Sequence, residues 1–131
     1  MEIEAELSKI VINETVDQQI IVLKERGGDR SFPIVIGMPE ILAINRRLKG
    51  IQLPRPLTHD LLANTIIQLG GEIIKIVISD LSDHTFYANL YVNLDGKIVL
   101  IDSRPSDALA ISAGTDIPLY IDEQVFEKMK Q

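Results

Sequence analysis

Two short stretches of this 131-residue chain carry residue types that could do chemistry: RPLTHD at 55–60 and RPSD at 104–107. Each sets an Arg-Pro pair before a Thr or Ser and an Asp, and each leads into an apolar helical pattern. The first turn of a helix leaves backbone N–H groups unpaired, and together with the helix dipole these favour an anion. Arg55 and Arg104 stand just ahead of such starts, where a guanidinium can grip a phosphate with two hydrogen bonds. Thr58 and Ser106 are the hydroxyls placed beside them. Asp60, Asp102 and Asp107 supply oxygens suited to a hard divalent cation, Mg²⁺ or Mn²⁺. His59 is one of two histidines, the residue type whose ordinary pKa lies near neutrality, so it can act as general base, general acid or metal ligand. Phosphodiester cleavage needs this set: charge to offset the phosphoryl oxygens, a base or metal to activate water, and a proton for the leaving oxygen. On that reading His59, Asp60 and Asp107 are the catalytic candidates.

A basic island leads into the first stretch. Between Glu40 and Asp60 there is no acid, while Arg46, Arg47, Lys49, Arg55 and His59 all fall there. Arg46 and Arg47 therefore join the candidate anion-binding residues. A plainer reading uses the same residues. Thr58 is then an N-cap, and Asp107, third in a helix opened by Pro105, satisfies orphan amides. The arginines pair with carboxylates to stiffen loops, His59 packs at the core border, and the island is a solvated helix face. Spacing alone leaves open a nuclease and a non-catalytic module that binds a small anionic ligand or a protein partner.

The elements that must position these residues follow from periodicity. Residues 2–12 alternate as a half-buried strand, QIIVLKE reads as a second, and GGD turns into RSFPIVI, where Pro33 marks an edge position or a bulge. Pro39 suits a helix start over 39–49, with Ile41, Ile44 and Leu48 on one face and Gly50 as its stop. The prolines of IQLPRPL force extended chain. Thr58 then caps a helix to Gly70-Gly71 whose buried face is Leu62, Ile66 and Leu69. EIIKIVISD, TFYANLYVN and KIVLID read as three strands, the last two joined by an Asp95-Gly96 turn. The unbroken apolar run Ile98–Ile101 predicts an interior strand covered on both faces. A helix from Pro105, a short strand DIPLYI and a terminal helix complete the chain. Strands and helices come in groups rather than strict alternation, which predicts a single α+β domain over 1–131 with a mainly antiparallel or mixed sheet and about four helices.

Composition excludes several classes. The chain has no cysteine, which rules out disulfides, thiolate metal sites and a cysteine nucleophile. The N-terminus lacks the basic and apolar regions of a signal peptide, and no apolar run approaches a membrane span, so a cytoplasmic protein with no membrane partner is expected. A net charge of -6 argues against a general nucleic-acid coat and leaves the basic island as the phosphate track. Gly-rich phosphate loops and a His-Glu-x-x-His pair are absent, and aromatics are too few for a base-stacking platform.

The blocks FPIVIG, PEILAI, PRPLTHDLL, TFYANL and IDSRPSDALAIS, in that order from about residue 3 to residue 125, resemble the bifunctional nuclease family, formerly a domain of unknown function. The resemblance implies a single α+β domain, nuclease activity of some members on DNA and RNA, and a bacterial or archaeal cytoplasmic setting. By position it implicates Gly37, Glu40, Arg55, Pro56, Thr58, His59, Asp60, Asp102, Arg104, Pro105, Ser106 and Asp107. His84 lies outside those motifs and reads as a turn residue. The resemblance and the many apolar strand positions together point to a homodimer or larger assembly.

Overall fold

The computed structural model describes residues 1–130. The chain opens with an antiparallel meander of β1 (Glu2–Val11), β2 (Gln18–Glu25) and β3 (Ser31–Gly37). Alternation decides its faces: in β3, Phe32, Ile34 and Ile36 are buried while Ser31, Pro33 and Val35 are exposed. Pro33 sits on an edge strand, where its missing N–H costs no ladder bond. A second meander follows later, β4 (Gly71–Ser82), β5 (Thr85–Leu94) and β6 (Lys97–Ser103). Its last turn places both Asp95 and Gly96 at positive φ, the backbone that a tight two-residue hairpin requires.

Four residues join the two meanders. Strand β7 (Leu119–Asp122) pairs antiparallel with β1 and parallel with β4, giving one seven-stranded mixed sheet in the order β3-β2-β1-β7-β4-β5-β6. The sheet curls strongly. Phe32 of β3 stacks on Phe86 of β5 at 5.1 Å between ring centroids, and Phe126 closes edge-on at 5.6 Å.

Helices α1 (Met38–Leu48), α2 (Thr58–Gln68), α3 (Pro105–Ser112) and α4 (Glu123–Met129) complete the expected α+β architecture. Seven of the eight residues of α3 are buried, as befits a helix that is apolar around most of its circumference. Helix α1 packs on it through Ile41 and Ile44, both fully buried. Burying one such side chain contributes roughly 1.5–3 kcal/mol. Among the described residues no helix is long and apolar enough to cross a membrane.

Three expectations from periodicity are corrected. KIVLID is not an interior strand: β6 is the far edge of the sheet, and Ile98, Val99, Leu100 and Ile101 are 38–52% exposed. An apolar run records that both faces suit an apolar environment, but not whether this chain supplies the cover. Helix α2 exists as expected, yet Leu62 and Leu69 are exposed, and only Ala63 and Ile66 pack against the core. The same holds for Leu48 at the end of α1, which is exposed. Finally, Leu57 rather than Thr58 is the N-cap of α2, so Thr58 is the first helical residue.

Candidate functional site

The two Arg-Pro stretches are not equivalent once folded. In the second, Arg104 is the N-cap of α3, Pro105 the first helical residue and Asp107 the third. In the first, Pro56 lies one residue outside the N-cap, so Arg55 is two residues farther from its helix. Arg55 is exposed, has no side-chain hydrogen bond or ion pair among the described residues, and lines neither cleft described below.

One bond crosses between the stretches. His59 Nε2 lies 2.9 Å from Asp107 Oδ1. Asp107 also accepts from Arg104, from Nε at 2.9 Å and Nη2 at 3.2 Å. Burial pushes the Asp107 carboxyl up, but the hydrogen bonds from Arg104 and His59 outweigh it and hold it below the usual carboxylate range. In turn Asp107 raises the Arg104 guanidinium further above its already high value. An ionised carboxylate only accepts, so in a neutral His59 ring Nε2 carries the proton and Nδ1 is left as the basic nitrogen. Arg104 is two-thirds exposed, with donors facing away from Asp107.

These groups line an open cleft of about 700 Å³. Its polar wall comes from the first turns of three helices: Glu40 is third in α1, Thr58 and His59 open α2, and Arg104 and Asp107 open α3. Its floor is apolar, made by Leu62, Ile66, Leu90 and Ile101. Glu40 sits 3.8 Å from Arg104 Nη2 through Oε1, while its Oε2 is buried without a partner among the described residues. That carboxylate fits because residue 37 is glycine: a Cβ there would lie 2.5 Å from Glu40 Oε2. Glu40 and Arg104 also border a second cleft of about 610 Å³, shared with His84 and Ser106.

Asp60, Arg46 and Arg47 are held elsewhere. Asp60 accepts from Arg46 Nη2 at 2.9 Å and Arg47 Nη1 at 2.7 Å, and its Oδ2 caps the Leu57 N–H at 3.0 Å. Its pKa is pulled both ways, raised by burial but lowered more by the Leu57 amide and the two arginines, with a net fall. Arg46 further donates to the Ile51 carbonyl, and Arg47 to the Ala113 carbonyl at the end of α3. These three residues tie α1, α2 and α3 together and are not part of the cleft's lining. Asp102 pairs with Asn89 across the β5–β6 ladder and lines the cleft at the end of β6, between Ile101 and Ser103. Asp60, Asp102 and Asp107 therefore do not converge, and among the described residues no three His, Asp or Glu side chains do. Glu40, Asp102 and Asp107 are the carboxylate residues that line this cleft.

The family model described as "Bifunctional nuclease domain" matches residues 21–131. The chain belongs to this family. The bifunctional nuclease domain here is 38% identical over 122 residues to an uncharacterized protein of Mycobacterium tuberculosis, an alignment covering 93% of this chain and 73% of that one. It is 23% identical to Bifunctional nuclease 1 of Oryza sativa subsp. japonica, covering 87% of this chain and 36% of that protein. Against Bifunctional nuclease 1 of Arabidopsis thaliana the figures are 27%, 79% and 33%. The domain thus spans about a third of the plant proteins.

In this bifunctional nuclease domain Glu40 was implicated by the family motif, but with no role attached to it. The available signal was its place, three residues after Gly37 and in the first turn of a Pro-started helix. His84 was set aside as a turn residue, and it does sit at positive φ in the β4–β5 turn. It nonetheless lines the second cleft, a neighbourhood that only the curl of the sheet creates.

Proposed function

We propose that this protein is a nuclease, a cytoplasmic phosphodiesterase acting on DNA or RNA at the cleft between α1, α2 and α3. One observation carries the reading: three helix N-termini open onto a single cleft that holds Arg104 and the His59–Asp107 pair. The first turns present unpaired amides and positive dipole ends, and Arg104 adds an exposed guanidinium, so the cleft suits a phosphate. Family membership agrees with a nucleic-acid substrate at this level.

In this mechanism Asp107 orients the imidazole and stabilises it when charged. His59 Nδ1 takes a proton from the attacking water as the water oxygen bonds to phosphorus. Arg104 and the helix ends hold the phosphoryl oxygens while the P–O ester bond breaks, and solvent protonates the departing oxygen. Where a divalent cation accompanies the substrate, Glu40 and Asp107 would hold it, and it would offset phosphoryl charge. Arg55, exposed on the loop before α2, is placed to meet a longer strand outside the cleft.

The apolar floor favours one alternative, retention of a small anion with an apolar part, or of a protein partner, without turnover. Labelled single- and double-stranded DNA and RNA, with and without Mg²⁺ or Mn²⁺, separate the readings. Wild type should cut, and His59→Ala and Asp107→Asn should not. Equal cutting by wild type and both variants places the activity in a contaminant or another site, and binding without cutting supports the alternative.

A further inference from the structure

Arg104 and Glu40 line two clefts, that of the His59–Asp107 pair and the second one of about 610 Å³. A phosphodiester joins two nucleosides, so a phosphate gripped by Arg104 leaves one nucleoside to be placed on either side of it. The proposed reaction uses the first cleft and gives the second no task. Yet the second cleft holds two polar side chains that no described residue completes. Ser106 lines it and is 6% exposed, but its hydroxyl makes no hydrogen bond among the described residues. The chain's other buried serine, Ser112, donates back to the Leu109 carbonyl. Glu40 makes no hydrogen bond either: Oε2 is buried without a partner, and Oε1 stands 3.8 Å from Arg104 Nη2, beyond hydrogen-bond reach. Buried polar groups left unpaired cost free energy, which a ligand able to bond them recovers.

The rest of the lining says what kind of group that is. Ile34, Ile36, Pro105 and the ring of Phe86 form apolar walls. Phe86 is half-buried and braced by its parallel stack on Phe32, which is itself 1% exposed. One ring is no platform for a run of bases, but it is enough to stack one. A bare phosphate would satisfy the Ser106 hydroxyl and meet like charge at Glu40. A nucleobase suits every part: a flat face for Phe86 and a hydrogen-bonding edge for Ser106 and Glu40. An ionised carboxylate only accepts, so it selects a base whose edge carries an amino group. Uracil and thymine set carbonyl oxygens there instead.

We propose that the second cleft is a base-reading subsite, which holds the nucleobase next to the phosphate on Arg104 and favours one with an exocyclic amine. The proposal rests on the nuclease reading for its ligand, a strand whose phosphate lies at Arg104. Phe86 stacks the base, while Ser106 and Glu40 bond its edge. The first cleft offers the nucleoside on the other side a floor of Leu62, Ile66, Leu90 and Ile101, apolar contact with nothing to read an edge. The site is therefore selective on one side of the cut and tolerant on the other.

Binding alone tests this, because cytidine monophosphate, uridine monophosphate and ribose 5-phosphate contain no diester to cut. The chain has two histidines, His59 on the first cleft and His84 on the second, so their imidazole NMR signals report the clefts separately. Cytidine monophosphate should shift the His84 signals through the ring current of the bound base. It should bind at least about tenfold more tightly than ribose 5-phosphate, the usual worth of stacking one base. Uridine monophosphate should bind about fivefold more weakly than the cytidine nucleotide, the net worth of one hydrogen bond. Glu40→Gln should erase that preference, and Ser106→Ala should weaken both nucleotides about fivefold while leaving ribose 5-phosphate unchanged. A cytidine nucleotide that shifts His59 alone overturns the proposal, and so does Ser106→Ala with wild-type affinity for it. A protein that cuts labelled strands but fails these measurements keeps the nuclease reading and loses the subsite. One that binds as described and cuts nothing keeps the subsite and loses the nuclease reading.

Discussion

Asp60 and Asp107 hold the same position, third in a helix introduced by an Arg-Pro pair, and both end up with their carboxyls below the usual range. They are put to opposite uses. Asp60 turns back to cap its own helix and takes two arginines from α1, so every one of its contacts is internal. Asp107 leaves its own amides alone and reaches across to His59 and Arg104 at the mouth of a cleft. Local sequence sets the position of a carboxylate on a helix. What it does there depends on which cations the rest of the fold delivers.

The comparison breaks most visibly in activity. Asp107→Asn keeps the shape but removes the charge that orients and stabilises His59, and cleavage should fall by about 10²–10⁴-fold, the usual worth of general acid–base catalysis. Its partner Arg104 is largely exposed, so urea unfolding should move by less than about 1 kcal/mol. Asp60→Asn should invert that pattern. It strands two arginines that are only 14% and 17% exposed, and unfolding in urea should show a loss of about 1–3 kcal/mol. Cleavage per folded molecule should stay at the wild-type rate. If Asp60→Asn abolishes cleavage without destabilising, the division between the two aspartates is wrong.

A smaller effect is expected at Gly37. An alanine Cβ there would lie 2.5 Å from Glu40 Oε2, so that carboxylate must shift, and kcat should drop about three- to tenfold through misplacement at the cleft. Gly37→Ala with unchanged kcat would detach Glu40 from the reaction. The least dramatic measurement is a carboxyl NMR titration. Both aspartates have folded pKa values below their unfolded ones, so their contribution to stability is complete above about pH 4, the ordinary aspartate value, and is lost as pH falls through the lower folded values. Each should titrate below that ordinary value, and stability should be insensitive to these two groups from neutrality down to about pH 5. A midpoint above 4 for Asp107 would mean that His59 and Arg104 do not hold it as described.

Much of the fold was legible because local signals agree with it. Alternation marked the strands, Asp95-Gly96 marked a hairpin, and Pro105 marked the start of α3. At the cleft, the two Arg-Pro helix starts were enough to bring His59 and Asp107 forward as candidates. The failures share one cause, which is that spacing along the chain does not say what lies opposite. Arg46 and Arg47 have side chains long enough to reach Asp60 on the next helix, so a basic island that read as a phosphate track became its anchor. The exposed edge strand read as interior because its composition suits cover that this chain does not provide.

Strand β7 has a consequence for how the molecule comes into being. It is four residues long, yet it is the one strand that touches both meanders, and 118 residues precede it. During synthesis each meander can zip up from local hairpins soon after it emerges. The first then waits with the inner edge of β1 unpaired until Leu119–Asp122 appears. Assembly therefore ends in the middle of the sheet, and a chain stalled before Leu119 carries two sticky half-sheets where the finished one has a seam.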